Sequence, residues 1–284
     1  MAPSNTAGAN MATSGAPVGG ASGAGTLGGA SNGGVGGSRA GNGGLGESGG
    51  AAGAIGGSHV GGGGNGAGGQ VDPALLPETT LHLAGDSTVM TYEANSAQEG
   101  WGQELPQFLL GKVKLDNQAI GGASVETFYA GRWKNIMSAL QAGDYVMAAF
   151  GANDSGTVEG RHVDPPAFSA RFDSMAQEVS AKKATFIIVT PSALQEWSGG
   201  KNGNQRLGPY VSALLTLGGA KGLEVADLNA RSLAFLNEIG QEAAKEIYID
   251  GDKAHFTKKG ATKMAELVAR ELTRIGSPLG AYVK

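Results

Sequence analysis

The sequence predicts a three-layer α/β/α sandwich around a five-stranded parallel sheet, preceded by a long low-complexity segment. Three observations carry the prediction. Five short, nearly continuous apolar runs recur between residues 80 and 229, as strands buried on both faces require. Each run ends in Gly, Pro or polar punctuation. Stripes of apolar residues at helical spacing alternate with the later runs, and strand-helix-strand repetition implies right-handed crossovers.

Residues 1–71 are almost entirely Gly, Ala, Ser, Asn and Thr, with Arg39 and Glu47 as their only charges. Such a stretch has too little apolar surface to offset an ordering cost of about 1–2 kcal/mol per residue, so a disordered tail or linker is expected. A Gly-rich coil of this length reaches roughly 45 Å, which suits a tether. Its "GGGGNGAGG" lacks the aspartates of a calcium-binding nonapeptide array, and His59 stands alone in it. The opening "MAPSNTAGANMATSG" has no apolar core of a signal peptide.

Residues 72–284 have the composition of an ordinary globular domain, long enough to bury a full core. Arg39 and Glu47 cancel, so the formal charge of −4 belongs to this part. A mildly acidic balance without Lys/Arg runs argues against nucleic acid as a partner. No stretch approaches the ~18 continuous apolar residues that a membrane span needs. Cysteine is absent, which excludes disulfides and thiolate metal sites.

The elements follow in order. "TLHLAG" (80–85) reads as the first strand and stops at Gly85-Asp86-Ser87. "VKLDNQA" (113–119) is the second, leading from Asn117 to Gly121-Gly122-Ala123-Ser124. "DYVMAAFG" (144–151) is the third and runs into Asn153-Asp154. Asp164-Pro165 looks like a helix cap with proline in the first turn, followed by a stripe of Phe168, Phe172, Met175 and Val179. After the fourth strand, "ATFIIVTP" (184–191), a second stripe comprises Leu207, Val211, Leu214 and Leu215. The fifth strand is "LEVADLN" (223–229). Asp252-Lys253-Ala254-His255 then precedes a last helix striped by Met264, Leu267, Val268, Leu272 and Ile275.

Open parallel sheets bind ligands beyond the carboxyl ends of their strands. Taken singly, the residues found there have ordinary structural roles: Asp-Ser caps a helix, Gly-Gly turns, Asn-Asp makes an Asx-turn, and a His before a helix is solvated. Together and in this order they supply a nucleophile, backbone and side-chain donors, and a base with its orienter. A serine hydroxyl attacks only when a base takes its proton, and an imidazole with an ordinary pKa near 6.5 does so at neutral pH. A carboxylate three residues before the imidazole can hold its tautomer. Attack on an ester carbonyl develops an oxyanion, for which the Ser87 and Gly122 N–H groups and the Asn153 amide are candidate donors, each worth about 3–4 kcal/mol of barrier.

"AGDSTV", "AIGGAS", "FGANDSG" and "DGDKAHFT" resemble the four blocks of the GDSL or SGNH hydrolases. The resemblance implies the SGNH-type sandwich, with Ser87 as nucleophile, Asp252 and His255 as acid and base, and Ser87, Gly122 and Asn153 as the oxyanion hole. Gly122 is preferred to Gly121 because the family's donor glycine lies five residues after the asparagine, here Asn117. "GWGQELPQFL" (100–109), "AGRWKNIMSALQAGDYVMAAFGAND" (130–154) and "TPSALQEW" (190–197) are similar to the rhamnogalacturonan acetylesterases, which deacetylate pectic polysaccharide without a metal or cofactor. That branch implies a serine O-acetylesterase acting on an acetylated polysaccharide or oligosaccharide, without cofactor or metal, as a monomer, secreted or at the cell surface. Two departures stand out: Ala123 replaces an arginine common after the donor glycine, and Ala152 is small where the family often has bulk.

Other residues offer the same chemistry. His162, in the loop after Asn153, is a second possible base or a substrate contact. Asp250 is the alternative orienter. His82, inside a strand, is expected to be a core histidine with its hydrogen bonds satisfied. "DGD" lacks the later ligands of a calcium loop. Trp197 follows a strand end and is the tryptophan placed to stack on a sugar, whereas Trp101 and Trp133 belong to structural segments. Two other functions compete: an esterase or lipase of small or lipid esters, which requires a more apolar acyl pocket, and a non-catalytic carbohydrate-binding protein, which has no need of Ser87 or His255.

Overall fold

The computed structural model describes residues 72–284; the tail expected for residues 1–71 lies outside the described residues. The strands are β1 (Thr79–Gly85), β2 (Val113–Asn117), β3 (Tyr145–Ala149), β4 (Thr185–Val189), the two-residue partners β5 (Trp197–Ser198) and β6 (Lys201–Asn202), and β7 (Glu224–Ala226). β2-β1-β3-β4-β7 form one sheet with every pairing parallel, and β5 and β6 form a small antiparallel ribbon. All five predicted strands are present.

Helices α1 (Trp101–Glu104), α2 (Val125–Gly131), α3 (Trp133–Ala139), α4 (Pro165–Ala181), α5 (Gly208–Lys221), α6 (Leu228–Ala244, bent at Gly240) and α7 (Lys258–Arg274) flank the sheet. The two-residue period of the strands sorts their side chains between two cores. Leu81, Leu83, Met147 and Ile187 pack with Trp101, Leu228, Leu236, Met264 and Val268 on the α1, α6 and α7 side. Ala84, Val146, Ala148 and Ile188 pack with Phe128, Ile136, Phe168, Phe172 and Leu214 on the other. The result is the expected α/β/α sandwich.

The helical stripes are largely where the spacing put them. Asp164 caps α4 by accepting the Ala167 N–H, and Phe168, Phe172, Met175 and Val179 are all buried. In α7, Met264, Leu267, Val268 and Leu272 are buried, and Ile275 is half-buried at its end. In α5 the stripe differs at Leu215, which is 43% exposed. The inward face continues from Leu214 to Gly218 instead, where a Cβ would collide with the Val225 side chain on β7. The helix approaches the sheet too closely there to hold a leucine.

The register sets the position of the site. Gly85 lies opposite Ala149, so β1 and β3 end level with one another, and β2 ends at Asn117 opposite Leu83, two residues short of the end of β1. From β1 the chain goes out to β2 on one side and then crosses to β3 on the other. Such a reversal of direction opens a crevice beyond the carboxyl ends of the strands.

Candidate active site

Ser87 sits in the turn that ends β1. Asp86 is buried, and its Oδ1 accepts both the N–H and the hydroxyl of Thr88, at 2.8 and 2.7 Å. Its carbonyl accepts the Val89 and Met90 N–H groups, which closes the turn. Burial raises the Asp86 pKa, against the lowering effect of the Thr88 hydrogen bonds. The Tyr92 hydroxyl donates to the Ser87 carbonyl at 2.9 Å, and burial together with the Asp86 charge pushes that phenol up to about 12. Neither Asp86 nor Tyr92 was singled out from sequence, although Asp86 adjoins the serine.

The other half of the relay comes from the loop before α7. Asp252 Oδ1 accepts the Ala254 and His255 N–H groups at 2.7 and 2.9 Å, and Oδ2 stands 2.7 Å from His255 Nδ1. His255 Nε2 lies 2.8 Å from Ser87 Oγ. A carboxylate on Nδ1 keeps the proton on that nitrogen, which leaves Nε2 to accept from the serine hydroxyl. Burial opposes ionisation of Asp252, but the two N–H groups and the imidazole outweigh it, and its pKa lies below the ordinary 3.8. Gln195 pins the loop from outside, its N–H donating to the Lys253 carbonyl and its side-chain amide to that of Asp252, both at 2.9 Å. Thr257 then caps α7 through the Gly260 N–H. Asp250 is exposed on the same loop, and the carboxylate beside His255 is that of Asp252.

The predicted oxyanion donors stand on the two neighbouring loops. Gly122 has φ +74°, a left-handed conformation that a side chain disfavours. Ser124, two residues on, caps α2 in a capping box with Thr127. The Asn153 amide donates to the Ala123 carbonyl at 3.0 Å, and Asp154 Oδ1 accepts the Val125 N–H at 2.8 Å, so the two loops are stitched together. Among the described residues, neither the Ser87 N–H nor the Gly122 N–H has a protein acceptor. Burial raises the Asp154 carboxyl to about 7, against the lowering effect of the Val125 hydrogen bond.

Two open grooves flank the relay. One, of about 680 Å³, runs along Gly121 and Gly122 and is lined by Arg132, Lys134, Glu159 and Arg161. The other, of about 380 Å³, is lined by Glu196, Trp197, Asp250, Asp252 and Lys253. Trp197 is half-buried against the core, and its indole N–H has no partner among the described residues. His162 is exposed, with Nδ1 3.2 Å from the Gly156 carbonyl, and lines neither groove.

His82 is a core histidine, but contrary to expectation its hydrogen bonds are not all satisfied. It is buried, with Nδ1 2.8 Å from Asp116, but Nε2 has no hydrogen-bond partner because the nearest Asp144 oxygen is 3.6 Å away. Trp101 and Trp133 are buried as expected, and the Trp133 indole donates to Glu178 at 2.9 Å. Among the described residues no group of three His, Asp or Glu side chains is placed to hold a metal.

A model of the GDSL-like lipase/acylhydrolase family matches residues 83–263, a span that holds Ser87, Gly122, Asn153, Asp252 and His255. The chain belongs to that family. This GDSL-like protein is a carboxylic ester hydrolase. It is 34% identical over 207 residues to the probable rhamnogalacturonan acetylesterase YesY of Bacillus subtilis (strain 168), an alignment covering 70% of this chain and 94% of YesY. Rhamnogalacturonan acetylesterase RhgT of the same organism is 31% identical over 214 residues, covering 69% and 90%. The crystal structure of YxiM from Bacillus subtilis superposes with a TM-score of 0.66 at 30% identity, covering 72% of this chain and 58% of that one. The GDSL-like chain thus spans little more than half of YxiM.

Proposed function

We propose that the protein is a serine O-acetylesterase of an acetylated carbohydrate, with a plant cell-wall polysaccharide such as rhamnogalacturonan as substrate. One observation carries the mechanism: the unbroken relay from Ser87 Oγ to His255 Nε2 at 2.8 Å and from His255 Nδ1 to Asp252 at 2.7 Å. In the first half-reaction Ser87 Oγ attacks the acetyl carbonyl while its proton passes to His255 Nε2. The oxyanion is met by the Ser87 and Gly122 N–H groups and the Asn153 amide. Collapse breaks the bond to the sugar oxygen, which leaves as the alcohol with the proton from Nε2. Water then attacks the acetyl-serine, gives its proton to the same nitrogen, and acetate departs as Ser87 regains its hydrogen. Asp252 holds the imidazole in the required tautomer and offsets its charge between steps.

A small acyl group and a polar alcohol suit the surroundings. The space bounded by Asp86, Thr88, Trp101 and Phe150 at the ends of β1 and β3 is only about 10 Å³, so no deep apolar slot for an alkyl chain opens there. The flanking grooves are open and carry polar and charged side chains. Carbohydrate as the alcohol draws support from YesY and RhgT, both named for rhamnogalacturonan. On this reading the half-buried Trp197 ring is a sugar platform beside Asp252, and His162 is a more distant contact.

The test is acetate release from acetylated pectin, xylan and chitin fragments, run beside p-nitrophenyl esters of increasing chain length. The expected outcome is fastest release from the pectic fragments and activity that falls from acetate to octanoate. Faster hydrolysis of the long-chain esters, with no acetate from any carbohydrate, would replace this reading with a lipid or small-ester esterase.

A further inference from the structure

The groove on the Gly122 side of the relay has an unusual charge arrangement. Three cations, Arg132, Lys134 and Arg161, line it with one acid, Glu159. Elsewhere in the described domain the arginines are engaged: Arg171, Arg231, Arg270 and Arg274 each hold a carboxylate, and Arg206 reaches the Ala152 carbonyl. Among the described residues, the side chains of Arg132, Lys134 and Arg161 have no such partner. In a chain of formal charge −4, three unpaired cations around one concavity focus positive potential beside the reacting serine.

Arg161 is held in place by its loop. The Val163 N–H donates to the Asp154 carbonyl and the Arg161 N–H to that of Val158, both at 3.1 Å, and the buried Tyr210 hydroxyl contacts the Asp154 and Val163 carbonyls. The guanidinium lies against Gly122, where a Cβ would come within 2.9 Å of Nη2 and 3.0 Å of Nη1. Arg132 occupies the junction of α2 and α3, at the end of one and the start of the other. A guanidinium with no internal partner presents a planar fork matched to a carboxylate.

We infer that Arg161 and Arg132 form an anion subsite that takes the carboxylate of a sugar acid next to the acetylated sugar. The enzyme then selects acidic over neutral acetylated glycans. This rests on the carbohydrate reading above and adds a specificity site to it.

The test compares an acetylated oligosaccharide containing uronic acid with the same material after its carboxyl groups have been reduced to alcohols. Reduction should raise KM about tenfold or more with kcat little changed, as expected for loss of a charge-assisted hydrogen bond made before the chemical step. Arg161→Gln and Arg132→Gln should each shrink that ratio, and Arg161→Lys should restore part of it. Arg270→Gln, a remote surface change, should leave both the ratio and p-nitrophenyl acetate hydrolysis unaltered. The deacetylated acidic oligosaccharide should inhibit p-nitrophenyl acetate hydrolysis more strongly than inorganic phosphate at equal concentration. Equal inhibition by phosphate would make the groove a general anion site and overturn the sugar-acid assignment. Equal KM values, with acetate released from both substrates, would remove the subsite and leave deacetylation standing. No acetate from any carbohydrate, with p-nitrophenyl acetate still cleaved, would overturn the carbohydrate reading and the subsite with it.

Discussion

Asp154 is fully buried, one carboxyl oxygen accepting the Val125 N–H and the other holding nothing among the described residues. Burial, opposed by that hydrogen bond and assisted by the neighbouring Asp86 charge, moves its pKa from 3.8 to about 7. Between those values the folded protein keeps a proton that the unfolded chain has lost. Its contribution to stability is therefore complete below 3.8 and is lost as pH rises towards about 7. Asp154→Asn keeps an acceptor for Val125 and removes the titration. In thermal unfolding, the advantage of wild type over this variant should shrink as pH rises across that window. A gap that stays constant would show that the carboxyl does not titrate there. The residue was visible in sequence only as half of an Asx-turn, because two of its hydrogen-bond partners, the Val125 N–H and the Tyr210 hydroxyl, come from segments far from it in the chain.

At the scale of elements, the loop between α6 and α7 delivers acid and base as one unit. Asp252 and His255 are joined by side-chain and backbone hydrogen bonds, and the His255 carbonyl accepts the Ile249 N–H at 2.9 Å. Asp252→Asn should preserve this loop but present an amide to Nδ1, favouring the wrong tautomer and lowering kcat by up to ~10⁴. Asp250→Asn, altering an exposed side chain, should cost far less. The reverse ranking in steady-state kinetics would exchange the two roles. These residues were legible beforehand because they cluster at the ends of strands whose apolar runs are unmistakable. Helix α6 was not, because its inward face includes buried Asn229 and Ser232, which bond the Pro191 carbonyl and the Ala193 N–H and interrupt the apolar stripe. The ribbon of β5 and β6 was equally hidden. It has two residues per strand, and its inner support is the amide of Asn202 on the Leu194 carbonyl.

At the scale of the molecule, every group of the relay and its donors lies within residues 72–284. The residues before them have neither an apolar core nor a titratable cluster in their sequence. Deleting residues 1–71 should leave kcat on a soluble ester within about twofold and shift the melting temperature by only a few degrees. A collapse of either quantity in the truncated protein would show that the segment supports the domain.

The bond between Ser87 and His255 joins positions 168 residues apart. Pairing of β1, β2 and β3 alone would gather the serine and the loops of Gly122 and Asn153, because all follow strands in the first half of the sheet. Such an intermediate has a nucleophile and donors but no base. Closing the long intervening loop costs entropy that is offset only when α7 docks. During synthesis from the N-terminus the same order holds: the catalytic histidine is among the last parts of the domain to be made. The growing chain therefore stays inert as an esterase until His255 and the helix that follows it have left the ribosome.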